Sequence, residues 1–91
     1  MKWRLIITPK VQAALRTFPP QTKQYIRQAF DAICEDPWSG KPLHDELEGL
    51  HSFRAKRFRI VYRIQRQTIA VVVIGVGHRR SIYEELTTEL S

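Results

Sequence analysis

Five side chains in the second half of the chain have the chemistry needed to cleave a phosphodiester bond: Arg54, Arg59, His78, Arg79 and Tyr83. When RNA is cleaved by its own 2′-oxygen, the attacking hydroxyl loses a proton, the phosphorane must be stabilised and the leaving oxygen gains a proton. Guanidinium groups stabilise the phosphorane. A histidine takes the proton of the attacking hydroxyl or gives a proton to the leaving oxygen. A tyrosine stacks on a base, orients a phosphate or donates a proton.

These residues lie in a basic stretch without acids, which predicts a polyanionic or acidic partner. Residues 50–83 hold eight Lys or Arg and no Asp or Glu, and seven of the eight are arginine, the better bidentate phosphate ligand. Because the stretch has no carboxylates to hold a metal, the pattern disfavours a two-metal nuclease. The further RNA-binding candidates are Lys56, Arg57, Arg63 and Arg80. The alternative interpretation is a solvated basic surface.

Hydrophobic periodicity predicts an α+β fold with the element order β-α-α-β-β-β-α. We expect a small, mostly antiparallel sheet with an N-terminal helical hairpin packed on one face, and a short C-terminal helix. Residues 37–51 are turn-rich and predicted to be irregular, and the apolar strand 68–76 is expected near the sheet centre, covered on both faces. The other predicted elements are a strand over 2–7, helices from Pro9 to Phe18 and over 21–34, strands over 52–55 and 58–64, and a helix over 81–90.

The predicted turn at Lys56-Arg57 brings the candidate residues together. A two-residue hairpin turn here places Arg54 directly opposite Arg59, and like charges in that position are destabilising. A phosphate bound on that face would reverse the sign of the interaction. Arg63 adds a third cation on the same side, and we expect the 77–80 loop and Tyr83 to converge on this one concave face.

Length and composition exclude several classes of protein. With 91 residues, the chain is predicted to be one domain over 1–91. A single cysteine, Cys34, excludes an intramolecular disulfide and a cysteine-based zinc site. There is no apolar run long enough for a membrane helix and no signal-peptide pattern. We therefore expect a cytoplasmic protein with no membrane contact, no metal and no cofactor.

Two segments resemble the RelE/ParE superfamily of type II toxin–antitoxin toxins. They are Ser52-Phe53-Arg54-Ala55-Lys56-Arg57-Phe58-Arg59-Ile60-Val61-Tyr62-Arg63-Ile64 and Val72-Val73-Ile74-Gly75-Val76-Gly77-His78-Arg79-Arg80-Ser81-Ile82-Tyr83. The resemblance extends over nearly the whole chain, and it implies either of two activities. The RelE branch cleaves messenger RNA in the ribosomal A site without a metal, whereas the ParE branch inhibits DNA gyrase and lacks the nuclease residues.

The retained Arg59, His78 and Tyr83 favour the RelE branch. In that branch the phosphate-binding basic residues correspond to Arg54, Lys56 and Arg59, and the family's loop position corresponds to His78 or to Arg79. The family usually has glycine where Lys56 stands. The resemblance also implies an acidic cognate antitoxin, a ribosome and messenger RNA as partners, and contact with operator DNA only through the toxin–antitoxin complex. A plain basic binding module without toxicity is a third possibility.

Overall fold

A computed structural model describes residues 2–78 and 81–90 of the chain. Its first elements are strand β1 (Arg4–Ile7) and the helices α1 (Pro9–Arg16) and α2 (Pro20–Glu35). Helix α1 begins as its sequence predicts, because the Thr8 hydroxyl accepts a hydrogen bond from the Val11 backbone N–H at 3.4 Å and proline occupies the first helical position. The two consecutive helices share one apolar core and form the predicted N-terminal helical hairpin.

The rest of the chain builds a five-stranded mixed sheet. Its strands are β2 (Lys41–Pro42), β3 (Leu50–Ala55), β4 (Phe58–Gln65) and β5 (Ala70–His78), and the chain continues into helix α3 (Ser81–Leu90). The strand order is β1-β5-β4-β3-β2, in which β1 pairs with β5 in parallel and every other pair is antiparallel. This confirms the expected α+β fold.

The prediction that residues 37–51 are irregular was only partly right. Lys41 and Pro42 form a two-residue edge strand opposite Ser52 and His51. Single 3-10 turns flank this strand at Pro37–Ser39 and Asp45–Leu47. A strand of two residues is too short to show a hydrophobic pattern. It forms only because it pairs with β3.

The helical hairpin covers one face of the sheet. The predicted stripe of α2, which includes Ile26, Phe30 and Ile33, packs on strand residues that include Ile60 and Tyr62. Burying such a side chain stabilises the fold by about 1.5–3 kcal/mol. The Tyr62 hydroxyl donates a 2.6 Å hydrogen bond to the Pro37 carbonyl, and burial raises the pKa of Tyr62 to about 12.

Helix α3 covers the opposite face of the sheet. Ile82 and Leu86 pack on Leu47, Leu50 and Val61 in a second apolar cluster. Strand β5 is consequently covered on both faces and lies inside the sheet, as its continuous apolar sequence predicts. An ion pair between Lys10 and Glu89 connects α1 to α3. The sheet face under α3 is the one that carries Arg54 and Arg59.

His51 gives the fold a predictable dependence on pH. Its ring stacks on Tyr62, with ring centroids 5.7 Å apart, and its Nδ1 atom is buried without a hydrogen-bond partner. Burial lowers the pKa of His51, so the unfolded chain takes up this proton before the folded chain does. We therefore expect the free energy of unfolding to fall as the pH drops through the ordinary histidine pKa of about 6.5.

Urea unfolding at a series of pH values measures this effect. The His51→Phe variant keeps a stacking ring and removes the titration, so its unfolding midpoint should change less between about pH 7.5 and about pH 5.5. The same pH dependence in this variant and in the wild-type protein would contradict the assignment to His51.

Candidate functional site

Arg54 and Arg59 are cross-strand partners at the β3–β4 hairpin. The two-residue turn sets the register, with Ala55 opposite Phe58 and Arg54 opposite Arg59, as the sequence predicts. Directly opposed side chains have Cβ atoms about 4.5–5.5 Å apart. Within the described part of the chain, no carboxylate forms an ion pair with either arginine. The two guanidinium groups therefore form an uncompensated cationic pair on the face under α3.

The turn between the two strands directs Lys56 away from this pair. Lys56 has a φ of 55°, in the left-handed region that favours glycine. Its ammonium group lies 5.3 Å from the centre of the Tyr25 ring, on the side of the helical hairpin. Arg54 Nε donates to the Lys56 carbonyl at 3.3 Å. Arg57, the second turn residue, is exposed.

Tyr83 lies on the same sheet face as the arginine pair. It is half-buried at the edge of the second apolar cluster, and its hydroxyl is 2.7 Å from the Ser52 hydroxyl. Because Ser52 and Arg54 are two residues apart on β3, they share a face and lie about 7 Å apart along the strand. The structure thus places Tyr83 on the face that carries Arg54 and Arg59, where it contacts the neighbouring row of the sheet.

His78 does not join this group, contrary to the prediction that it converges on the same face. It is the last residue of β5, directly opposite Phe58, and its ring lies against the Phe58 ring with centroids 4.7 Å apart. Phe58 also contacts Phe18 and Tyr25 of the helical hairpin. The His78 ring is therefore on the hairpin side of the sheet, although its neighbour Gly77 pairs with Arg59.

The remaining predicted site residues are one arginine on the same face and two outside the described part. Arg63 is exposed and lies opposite Leu50 on β3 and Val72 on β5. It is four residues after Arg59 on β4 and therefore on the same sheet face as the arginine pair. Arg79 and Arg80 lie outside the described residues. In the described part, no three His, Cys, Asp or Glu side chains are grouped as metal ligands would be.

Ser52 was missed by the sequence reasoning. It is 3% exposed, and its hydroxyl contacts a residue 31 positions away in the chain. One signal was available, because Ser52 is a small polar residue two positions before Arg54 in a strand, which places it on the face of the arginine pair. Its partner on α3 depends on how that helix docks.

Gly75 lets α3 lie close to the sheet and so sets the position of Tyr83. A Cβ atom at residue 75 would lie 2.9 Å from Ile82 Cδ1 and 3.1 Å from Leu86 Cδ1. We expect Gly75→Val to push α3 outward and to lower the free energy of unfolding by about 1–3 kcal/mol.

Urea unfolding of Gly75→Val and Gly77→Ala tests this expectation. A Cβ at residue 77 would meet Ile82 no closer than 3.3 Å, so Gly77→Ala is the milder control. Equal stability of the Gly75→Val and wild-type proteins would show that α3 does not need this close approach.

Comparisons with known proteins agree with this architecture. The family model for the ParE toxin of the type II toxin–antitoxin system parDE matches residues 5–83. Toxin RelG of Mycobacterium tuberculosis is 33% identical over 85 residues, which are 91% of this chain and 98% of RelG. Toxin RelE of the same organism is 43% identical over 44 residues, which are 48% of this chain and 45% of RelE.

Solved structures show the same fold. The toxin–antitoxin complex RelBE2 of M. tuberculosis contains a chain with a TM-score of 0.80 and 31% identity, over 87% of this chain and all of that one. A mutant of the E. coli toxin RelE in the free state matches with a TM-score of 0.78 and 18% identity, over the whole of both chains. The protein therefore belongs to the RelE/ParE superfamily, as a toxin of a type II toxin–antitoxin pair.

No helix in the described residues is long and apolar enough to span a membrane.

Proposed function

We propose that this toxin is a metal-independent endoribonuclease that cleaves messenger RNA in the ribosomal A site. The observation that carries the proposal is the Arg54–Arg59 pair. Two opposed arginines that form no ion pair with any described carboxylate destabilise a strand pair but suit a bound phosphate, because each guanidinium group offers a fork of N–H donors. The similarity to proteins named RelE and RelG supports the same choice.

The chemistry follows from the charge that develops at phosphorus. When the 2′-oxygen attacks, the phosphorane gains negative charge on its non-bridging oxygens. Arg54 and Arg59 stabilise this charge, and Arg63 extends the cationic surface along β4 toward the neighbouring phosphates. Tyr83 offers a ring beside the pair on which a base can stack.

Proton transfer is the role proposed for His78. Because the His78 ring lies against Phe58 on the hairpin side of the sheet, this role requires the ring to turn away from Phe58 toward the face that carries Arg54 and Arg59. Arg79, the next residue in the chain, is the other candidate for this family position.

Inhibition of DNA gyrase without nuclease activity is the second candidate function. The ParE description of the matching family model favours it. A gyrase inhibitor needs no phosphate site, so it should tolerate loss of the Arg54–Arg59 pair.

Inducible expression separates the two functions. Messenger ends are mapped by sequencing, and plasmid supercoiling is measured in the same cultures. The nuclease proposal predicts new messenger 5′ ends within minutes and unchanged supercoiling. Loss of negative supercoiling with intact messengers would contradict it and support gyrase inhibition.

We further propose that this toxin is cytoplasmic and that its partner is an acidic antitoxin, since the solved structures of similar toxins include complexes with an antitoxin. Among the described residues, no Lys or Arg of strands β3 to β5 or of their turns forms an ion pair. We expect the antitoxin to cover this basic surface or to displace α3, and the affinity to fall steeply between about 0.1 M and about 0.5 M salt. We also propose that operator DNA is contacted only by the toxin–antitoxin complex.

A salt series of binding to the product of the neighbouring gene measures this dependence. Tight binding that is indifferent to salt would contradict the electrostatic proposal. The antitoxin would then be expected to bind through apolar contacts, for which the chain offers a groove of about 340 Å³ between β1 and the helical hairpin. Its lining residues include Leu5, Leu15 and Phe30.

A further inference from the structure

We infer that Ser52 is a positioning residue that fixes the Tyr83 ring beside the arginine pair. The inference rests on the proposed nuclease function and adds to it a residue that has no place in the phosphate site itself. Ser52 is buried, and its hydroxyl lies 2.7 Å from the Tyr83 hydroxyl, so either group donates to the other.

The sheet register shows why this contact controls the ring. Ser52 pairs with Val61, and Val61 pairs with Gly75, so these three residues form one row across β3, β4 and β5. Ile82 packs over Gly75 at one end of the row, and Tyr83 reaches Ser52 at the other. The next row along the same face is Arg54, Arg59 and Gly77.

Tyr83 is therefore held at two points. Its backbone is fixed by the docking of Ile82 and Leu86, and its far end is fixed by Ser52. A half-buried ring held in this way is a preorganised stacking surface about one strand row, roughly 7 Å, from the phosphate-binding pair. Because the hydroxyl is engaged with Ser52, the ring face rather than the hydroxyl is the part offered to RNA.

Loss of either hydroxyl removes the same contact, and this makes the inference testable by a double-mutant cycle. The variants are Ser52→Ala, Tyr83→Phe and the double variant, measured for cleavage of messenger RNA on programmed ribosomes. We expect each single variant to lower kcat/KM by about 3- to 10-fold, the effect of leaving one side chain unfixed. The double variant should be no slower than either single variant.

Ser52→Thr is the conservative variant, since it keeps a hydroxyl on a strand residue. It should restore kcat/KM to within about twofold of the wild-type value, as a role in positioning requires. Urea unfolding of all variants shows that the compared proteins are folded.

Two results would overturn the inference while leaving the nuclease proposal intact. One is a Ser52→Ala protein as active as the wild-type protein. The other is a double variant whose loss is the product of the two single losses, which would show that the hydroxyls act independently. A wild-type protein that cleaves no messenger RNA would overturn the proposed function and the inference together.

Discussion

The Arg59→Ala protein is expected to fold normally and to cleave messenger RNA about 10²–10³ times more slowly than the wild-type protein. Arg59 is half-buried in the central strand β4 and opposes Arg54. The negative charge on the phosphate oxygens increases in the transition state, so removing a donor to these oxygens lowers kcat more than it raises KM. Single-turnover cleavage on programmed ribosomes measures the loss.

Arg27→Ala is the matched control. Arg27 is an exposed arginine on α2, on the opposite side of the sheet from the Arg54–Arg59 pair, so its loss removes the same charge without touching the site. The control should retain the wild-type cleavage rate and toxicity. A well-folded Arg59→Ala protein that is as toxic as the control would eliminate the proposed phosphate site.

Tyr83→Ala is expected to be more severe than Tyr83→Phe. Alanine removes the ring, and stacking on a base contributes about 1–3 kcal/mol, which corresponds to a loss of about 5- to 150-fold. Phenylalanine keeps the ring and loses only the hydrogen bond to Ser52. The measurement is kcat/KM for ribosome-bound messenger RNA, with the unfolding midpoint as the check on folding.

Equal severity of the two Tyr83 variants would contradict the stacking role. The hydroxyl itself would then carry the function, and proton donation would become the better explanation. The dependence of kcat on pH separates these outcomes, because a stacking ring adds no titration to the profile whereas a proton donor does.

Local signals explain what the sequence predicted correctly. The helical hairpin follows from the apolar period of Val11, Leu15 and Phe18 and from the Pro19-Pro20 turn. The opposition of Arg54 and Arg59 follows from the length of the turn, because a two-residue loop permits only that register.

The position of His78 was not predictable because a bulge reverses the alternation of β5. Val61 pairs with Gly75 and Tyr62 pairs with Val73, so Ile74 is an extra residue in β5. Val73, Val76 and His78 consequently face the hairpin side. Both faces of β5 are apolar, so the sequence has no alternation of polar and apolar residues from which the change of face at the bulge could be predicted.

The contact between Ser52 and Tyr83 was hidden for a different reason. It joins β3 to α3 across 31 residues, and its geometry depends on Gly75 allowing the helix to lie close to the sheet. No local pattern encodes such a contact, because it results from the packing of two elements that are predicted separately.

Cleavage of ribosome-bound messenger RNA with a single 2′-deoxynucleotide in the A site tests the central claim most directly. The purified toxin is mixed with programmed ribosomes that carry either all-ribose messenger RNA or the same RNA with one 2′-hydroxyl removed at each A-site position in turn. Nuclease chemistry that uses the 2′-oxygen predicts a cut in the all-ribose RNA and loss of that cut when the nucleotide before it is deoxy. Undiminished cleavage of the deoxy-substituted RNA would contradict this chemistry, and no cleavage of either RNA together with inhibition of purified gyrase would contradict the nuclease function altogether.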